Sequence, residues 1–265
     1  MVDLKKVSEG VIKLSKEVGA FIRTEGAGFD KSKIQTKGFN DLVSYVDQEA
    51  EKRIVAGLLD ILPGSGFIAE ESAAENKVDK EYTWIIDPLD GTTNFIHGLP
   101  IFAVSIALMK DDKIILGVVY EINKDECFSA IEGERARCND KEISVSGVKE
   151  LSQGLLATGF PYYNFDKMPT YLDVINELMR KTHGLRRMGS AAVDLVYVAC
   201  GRFEGFFEYN LNPWDVAAGA FIVQQAGGIV SDFKGGNNYV FGREMAAGCQ
   251  IQPQMLEVIR KHWIM

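Results

Sequence analysis

The sequence predicts a mixed α/β fold with helices layered over β-sheet, and three features carry that expectation. Residues 155–262 alternate short apolar runs with amphipathic stretches, strand then helix. Residues 101–131 read as strands joined by tight turns, the pattern of an antiparallel meander. The chain opens on Leu4, Val7, Val11, Leu14, Val18 and Phe21, spaced by three and four residues as in an amphipathic helix. At 265 residues the chain suits one large domain or two halves sharing a core, and is long enough to need no staples.

The first helix carries Lys5, Lys6, Lys13 and Lys16 on its charged face and ends at Gly26-Ala27-Gly28. Asn40-Asp41 reads as a turn and residues 42–46 as a short extended piece. A second helix is expected from Gln48, burying Ala50, Ile54, Leu58 and Ile61, with Asp47 standing as its N-cap. Pro63-Gly64-Ser65-Gly66 is a loop, and Phe67-Ile68-Ala69 a strand running into Glu70-Glu71; the acids of 75–81 read as solvated surface. Trp84-Ile85-Ile86 is a buried strand that stops at a turn, Asp87-Pro88-Leu89-Asp90-Gly91-Thr92-Thr93-Asn94. Strands follow at 101–109, 114–120 and 126–131, with a hairpin at Asp111-Asp112 and a further turn at Asn139-Asp140. A boundary at 147–152 divides an N-terminal α+β half, 1–147, from a C-terminal α/β half, 148–265. In the latter, strands are expected at 155–158, 185–188, 203–209 and 229–232, and helices at 171–182, 190–200, 214–226 and 254–262.

Composition excludes several classes. The chain is 46% hydrophobic and 25% charged, as in soluble globular proteins. A net charge of −8 argues against a nucleic-acid partner. The longest apolar stretch, 99–109, falls short of the ~20 residues of a membrane helix, and the N-terminus lacks a signal-peptide core. Cys127, Cys138, Cys200 and Cys249 form no CxxC pair, which favours reduced thiols and a cytoplasmic home. His97, His183 and His262 make no zinc pattern.

The central turn carries chemistry. Pro88 stiffens it, Gly91 frees its backbone, and Asp87 and Asp90 would repel unless a cation sat between them. Hard cations such as Mg²⁺ favour carboxylate and carbonyl oxygens, so the turn reads as half of a metal site, or else as an ordinary Asp-Gly turn. The longer string, DPLDGTTNFIHGLP, resembles the signature of the inositol monophosphatase family, Mg²⁺-dependent phosphatases related to fructose-1,6-bisphosphatase. KGFNDLVSYVD, GFIAEES, RRMGSAAVD and PWDVAAG resemble further regions of the same family, in the family's order. Animal members carry a lysine one position before Lys37, where this chain has Thr36.

The resemblance implies a layered αβαβα sandwich, a homodimer, and two to three Mg²⁺ ions per active site. It implies a first metal on Glu70, Asp87 and the Leu89 carbonyl, a second on Asp87, Asp90 and Asp215, and a weaker third near Glu70. Glu70 and Thr92 would orient the attacking water, with Asp47 accepting from Thr92. The backbone of Gly91 and Thr92 would hold phosphate. Gly189, Ser190, Ala191, Glu208 and Asp90, with Asp215 beside them, would bind the hydroxyls of a sugar or cyclitol. From sequence alone Ser190 reads first as a plain N-cap, and Asp215 could merely complement a helix dipole, a reading that the other family strings argue against. The implied activity is inositol-1-phosphate hydrolysis. Fructose-1,6-bisphosphate and 3′-phosphoadenosine 5′-phosphate stay open as substrates, with Arg186 and Arg187 able to meet a second phosphate. A regulatory binding role is the reading from another class.

Overall fold

Two large sheets, each with helices on both faces, and a small two-stranded one make up the fold of the described residues. The structure, a computed structural model, describes residues 2–28, 35–38, 41–72, 80–161 and 165–263, with the backbone alone for 35–38 and 41–43. The side chain of Lys37, the expected turn residue Asn40 and most of the acidic run 75–81 lie outside the described residues.

Helix α1 (Leu4–Gly26) starts at Asp3, whose side chain accepts from the N–H groups of Lys5 and Lys6. Strands β1 (Gln35–Gly38) and β2 (Asp41–Val43) form a small antiparallel pair. Helix α2 (Tyr45–Ile61) begins three residues before the expected Gln48, and this corrects the capping assignment. Ser44, not Asp47, is the N-cap, and Asp47 is the third helical residue of a capping box. Asp47 Oδ2 accepts from the Ser44 N–H at 2.9 Å and from its hydroxyl at 2.6 Å, while Ser44 Oγ accepts from Val46 N–H at 3.1 Å.

The first sheet orders β3 (Gly66–Ala69), β4 (Tyr82–Asp90), β5 (Ala103–Lys110), β6 (Lys113–Glu121), β7 (Glu126–Ile131), β8 (Arg137–Cys138) and β9 (Lys141–Glu142) side by side. β3 and β4 are parallel and the rest antiparallel. Asp111 and Asp112 both take positive φ, 46° and 63°, as a tight two-residue hairpin requires. β4 does not stop at Asp87 as the sequence suggested. It continues to Asp90 through a bulge, because Pro88 has no N–H for the ladder and the Leu89 N–H turns to Asp87 Oδ1 at 2.9 Å. Helix α3 (Thr92–His97), unforeseen in the sequence, follows directly.

The second sheet has the order β11 (Gly184–Arg186), β10 (Leu155–Thr158), β12 (Gly205–Tyr209), β14 (Glu244–Gly248) and β13 (Ile229–Ser231). β10 is parallel to both its neighbours. Its helices are α4 (Met168–Lys181), α5 (Ala191–Ala199), α6 (Pro213–Gln225) and α7 (Gln252–His262). α1 and α2 cover the outer face of the first sheet, α5 and α6 lie between the two sheets, and α4 and α7 cover the second. Three apolar clusters fill the intervening spaces. The result is the expected αβαβα layering. Among the described residues no helix is long and apolar enough to cross a membrane. All four cysteines are free thiols.

Candidate active site

Parallel strands bring their C-terminal ends to one side, where α/β folds gather ligand groups. Glu70 follows β3, Asp87 and Asp90 close β4, Gly159 follows β10, and Glu208 is near the end of β12. The Glu70 N–H bonds to Ile86 O at 3.3 Å, setting Glu70 beside Asp87. Its neighbour Glu71 is tied down too, since the Glu71 N–H donates to Glu51 Oε2 of α2 at 2.8 Å.

Asp87 is 2% exposed. Burial pushes its carboxyl well above the usual range, and the like charges of Glu70, Asp90 and Asp215 push the same way. Asp90 is raised to about 6 by burial, offset by the donors it has collected: the Ser190 hydroxyl at 2.6 Å and the Ala192 N–H at 2.7 Å. Asp215, in the first turn of α6, is raised to about 7 by burial and by Asp90, and accepts from the Asn212 N–H at 2.7 Å. These four acids come from three separate segments, the end of β3, β4 and the start of α6, and act on one another. They repel, and among the described residues no three His, Cys, Asp or Glu side chains are drawn into a closed metal cage. The donor chemistry is nonetheless that of a hard-cation site, all carboxylate and carbonyl oxygen with no sulfur or imidazole.

Gly91 takes φ +100°, and a Cβ there would come within 2.9 Å of Ile101 O, so the turn into α3 requires glycine. Beyond it, Thr92 Oγ1 lies 2.8 Å from Asp47 Oδ1 and 3.0 Å from Leu89 O. Asp47 is 1% exposed; burial raises its carboxyl while the Ser44 and Thr92 hydrogen bonds oppose the rise. Asp47 thus braces the start of α2 and holds Thr92. Asp47→Ala is expected to cost about 2 kcal/mol, since the Ser44 N–H loses its capping-box acceptor and Thr92 loses a hydrogen bond, read as a lower Cm in urea.

Ser190 caps α5, its Oγ accepting from Val193 N–H at 3.3 Å, and also donates to Asp90, so its capping and site positions coexist. Gly189 and Ala191 flank it. Glu208 is raised to about 8, by burial first and by Asp215 next. Two participants carried no expected role, Asn94 and Asp194, and a third, Arg187, was expected only as a partner for a second phosphate. Asn94, 4% exposed, donates through Nδ2 to Ile101 O and Met188 O, both at 2.8 Å, stitching the β4–α3 turn to the approach to α5. Arg187 is exposed but lies over Gly189: a Cβ there would come within 2.8 Å of its Nη1, and its charge lowers Asp90, Asp194 and Glu208. Asp194, one turn into α5, is 1% exposed with Oδ1 unpartnered among the described residues. The DGTTN string and the RRMGSAAVD string contain all three, so the signal was position within a motif.

The whole chain has relatives. Residues 3–263 match the Inositol monophosphatase family. The inositol-1-monophosphatase of Mesorhizobium japonicum is 38% identical over 252 residues, covering 95% of each chain. The Nus factor SuhB of Escherichia coli K12 is 41% identical over 237 residues, 89% of each chain. Among solved structures, the extragenic suppressor protein suhB of Bartonella henselae has a TM-score of 0.90 at 39% identity, covering 96% of this chain and 98% of that one. This chain therefore belongs to the inositol monophosphatase family.

Proposed function

We propose that this protein is a Mg²⁺-dependent phosphomonoester hydrolase that prefers inositol-1-phosphate and releases myo-inositol and phosphate. The observation that carries the reading is the meeting of Glu70, Asp87, Asp90 and Asp215 beside the Thr92–Asp47 hydrogen bond. In this reading Glu70, Asp87 and the Leu89 carbonyl hold one ion, and Asp87, Asp90 and Asp215 a second. A third, weaker ion sits near Glu70. Bound Mg²⁺ supplies Lewis-acid polarisation of the phosphoryl oxygens and a nucleophile at neutral pH.

The protein's own groups do the rest. With its proton given to Asp47, the Thr92 oxygen has lone pairs to accept from the attacking water, and Glu70 accepts the water's other hydrogen. Water oxygen bonds to phosphorus as Glu70 takes its proton, the ester P–O bond breaks, and the leaving alkoxide takes a proton from solvent, to which Glu70 returns the one it accepted. The N–H groups of Gly91 and Thr92 hold phosphate oxygens. Gly189, Ser190, Ala191, Glu208, Asp90 and Asp215 face the hydroxyls of the leaving cyclitol.

Phosphate release with Mg²⁺ from inositol-1-phosphate, fructose-1,6-bisphosphate and 3′-phosphoadenosine 5′-phosphate, side by side, tests this. The expected result is a clear kcat/KM preference for inositol-1-phosphate. Preference for a bisphosphate would reassign the pocket, with Arg187 as the second phosphate's partner. A second reading, a binding role beside catalysis, is favoured by relatives 40% to 42% identical that are named Nus factor SuhB. Those names also remove the ground for excluding a nucleic-acid partner on net charge. Failure to turn over any of the three esters would make binding the leading role.

A further inference from the structure

The Glu208 carboxylate is packed against a missing side chain. Gly159 directly follows β10, and a Cβ built there would overlap Glu208 Cδ and both of its carboxylate oxygens, well inside the 3.0 Å that real Cβ contacts keep. The Glu208 carboxylate therefore occupies the space a side chain at 159 would fill. Gly159 is not among the residues with positive φ, so its backbone would accept any residue. The glycine serves space, not conformation.

The backbone that carries Glu208 is fixed, so only its side chain can yield to an atom at 159. Its strand is pinned to β10 at the residue before it: the hydroxyls of Thr158 and Tyr171, 2.5 Å apart, both reach Phe207 O, at 2.9 Å and 3.1 Å. Asp215 and Asp90 act on Glu208 with like charge, and so does Glu208 on the buried Asp194. A gap with no side chain lets the carboxylate stand clear of these acids while Arg187 offsets part of the repulsion.

We propose that Gly159 is a specificity-determining position: its missing side chain seats the Glu208 carboxylate, and so sets which hydroxyl of a polyol phosphate the pocket accepts. This rests on the reading of Glu208 as a hydroxyl acceptor under the proposed function. Gly159 touches no reacting atom, so it is a positioning residue. It acts through Glu208, and a methyl group at 159 displaces the carboxylate from the substrate's hydroxyl while the phosphate end is untouched.

The test compares wild type, Gly159→Ala, Glu208→Ala and the double variant on inositol-1-phosphate and on p-nitrophenyl phosphate, which has no polyol. Gly159→Ala is expected to lower kcat/KM for inositol-1-phosphate roughly 10- to 100-fold, mainly through KM, as for one lost hydrogen bond to a substrate hydroxyl. Turnover of p-nitrophenyl phosphate is expected to stay within about twofold, since the phosphate-binding groups are unchanged. The double variant is expected to match Glu208→Ala alone, because both changes remove one interaction. Retained preference in Gly159→Ala, equal loss on both substrates, or full additivity with Glu208→Ala would each overturn the proposal. If Gly159→Ala lowers Tm too far to assay, the double variant should regain it, because the overlapping carboxylate is gone; a double variant that stays unstable also overturns it. A wild type without preference for inositol-1-phosphate defeats the proposed function itself, and this inference falls with it.

Discussion

Asp87→Asn is expected to lower Mg²⁺-dependent kcat/KM by at least about 10³-fold while leaving the fold intact, a loss of the size seen when electrostatic stabilisation of a transition state is removed. The expectation follows from what asparagine keeps and what it loses. Its amide oxygen can still accept the Leu89 N–H, now 2.9 Å from Asp87 Oδ1, so the bulge in β4 survives. Its new N–H₂ group faces the acids Glu70, Asp90 and Asp215, which are ready acceptors. Burial and the neighbouring acids already hold metal-free Asp87 toward its protonated form, which asparagine matches in shape and charge, so the metal-free variant should melt no lower than wild type. What disappears is the anionic oxygen shared between both proposed ions. Phosphate release, with Tm measured in EDTA and in Mg²⁺, reads all three effects. Near-normal turnover, or an undiminished rise of Tm with Mg²⁺, would sink the metal assignment.

Much of the fold was legible because hydrophobic period and glycine punctuation agree with the packing. The segments that were not legible have identifiable reasons. α3 is six residues long and begins in a string of turn formers; its ends are marked only by Gly91 and Gly98 in left-handed conformations. β14 reads Glu-Met-Ala-Ala-Gly, with little strand propensity of its own, and is extended because it fills the slot between β12 and β13 with its last four residues buried. α2 carried a readable signal, Ser44 three residues before Asp47, but the β-branched run around it suggested extension.

The site shows the same division. Motif residues were legible because their spacing and chemistry repeat a known pattern. The surroundings of Glu208 were not, since Gly159 and Asp194 come to it only when β10, α5 and β12 pack together. A lone glycine after a strand reads as a turn, and an aspartate at Asp194 reads as a polar face of a helix. In the fold that helix is buried on every side.

Stability of the metal-free protein is expected to fall as pH rises from 5 to 8, the reverse of what ion-paired carboxylates produce. Burial raises Asp90 to about 6, and burial with like charge raises Asp215 to about 7 and Glu208 to about 8, against about 4 for carboxyls in an unfolded chain. A carboxyl with a raised folded pKa holds its proton more tightly when folded. Its contribution is full below the unfolded value and is lost as pH climbs through the folded one. The three together therefore bind more protons in the folded than in the unfolded state throughout that window. Glu177, lowered to about 2 by Lys181, Lys261 and His262, titrates at lower pH and does not mask the trend. Mg²⁺ competes with those protons, so its stabilisation should grow as pH rises. Calorimetry at pH 5, 6, 7 and 8, in EDTA and in Mg²⁺, should show Tm curves that diverge toward alkaline pH. Parallel curves would mean that these carboxylates titrate without holding the metal, and a Tm in EDTA that rises with pH would mean that they are not buried as acids at all.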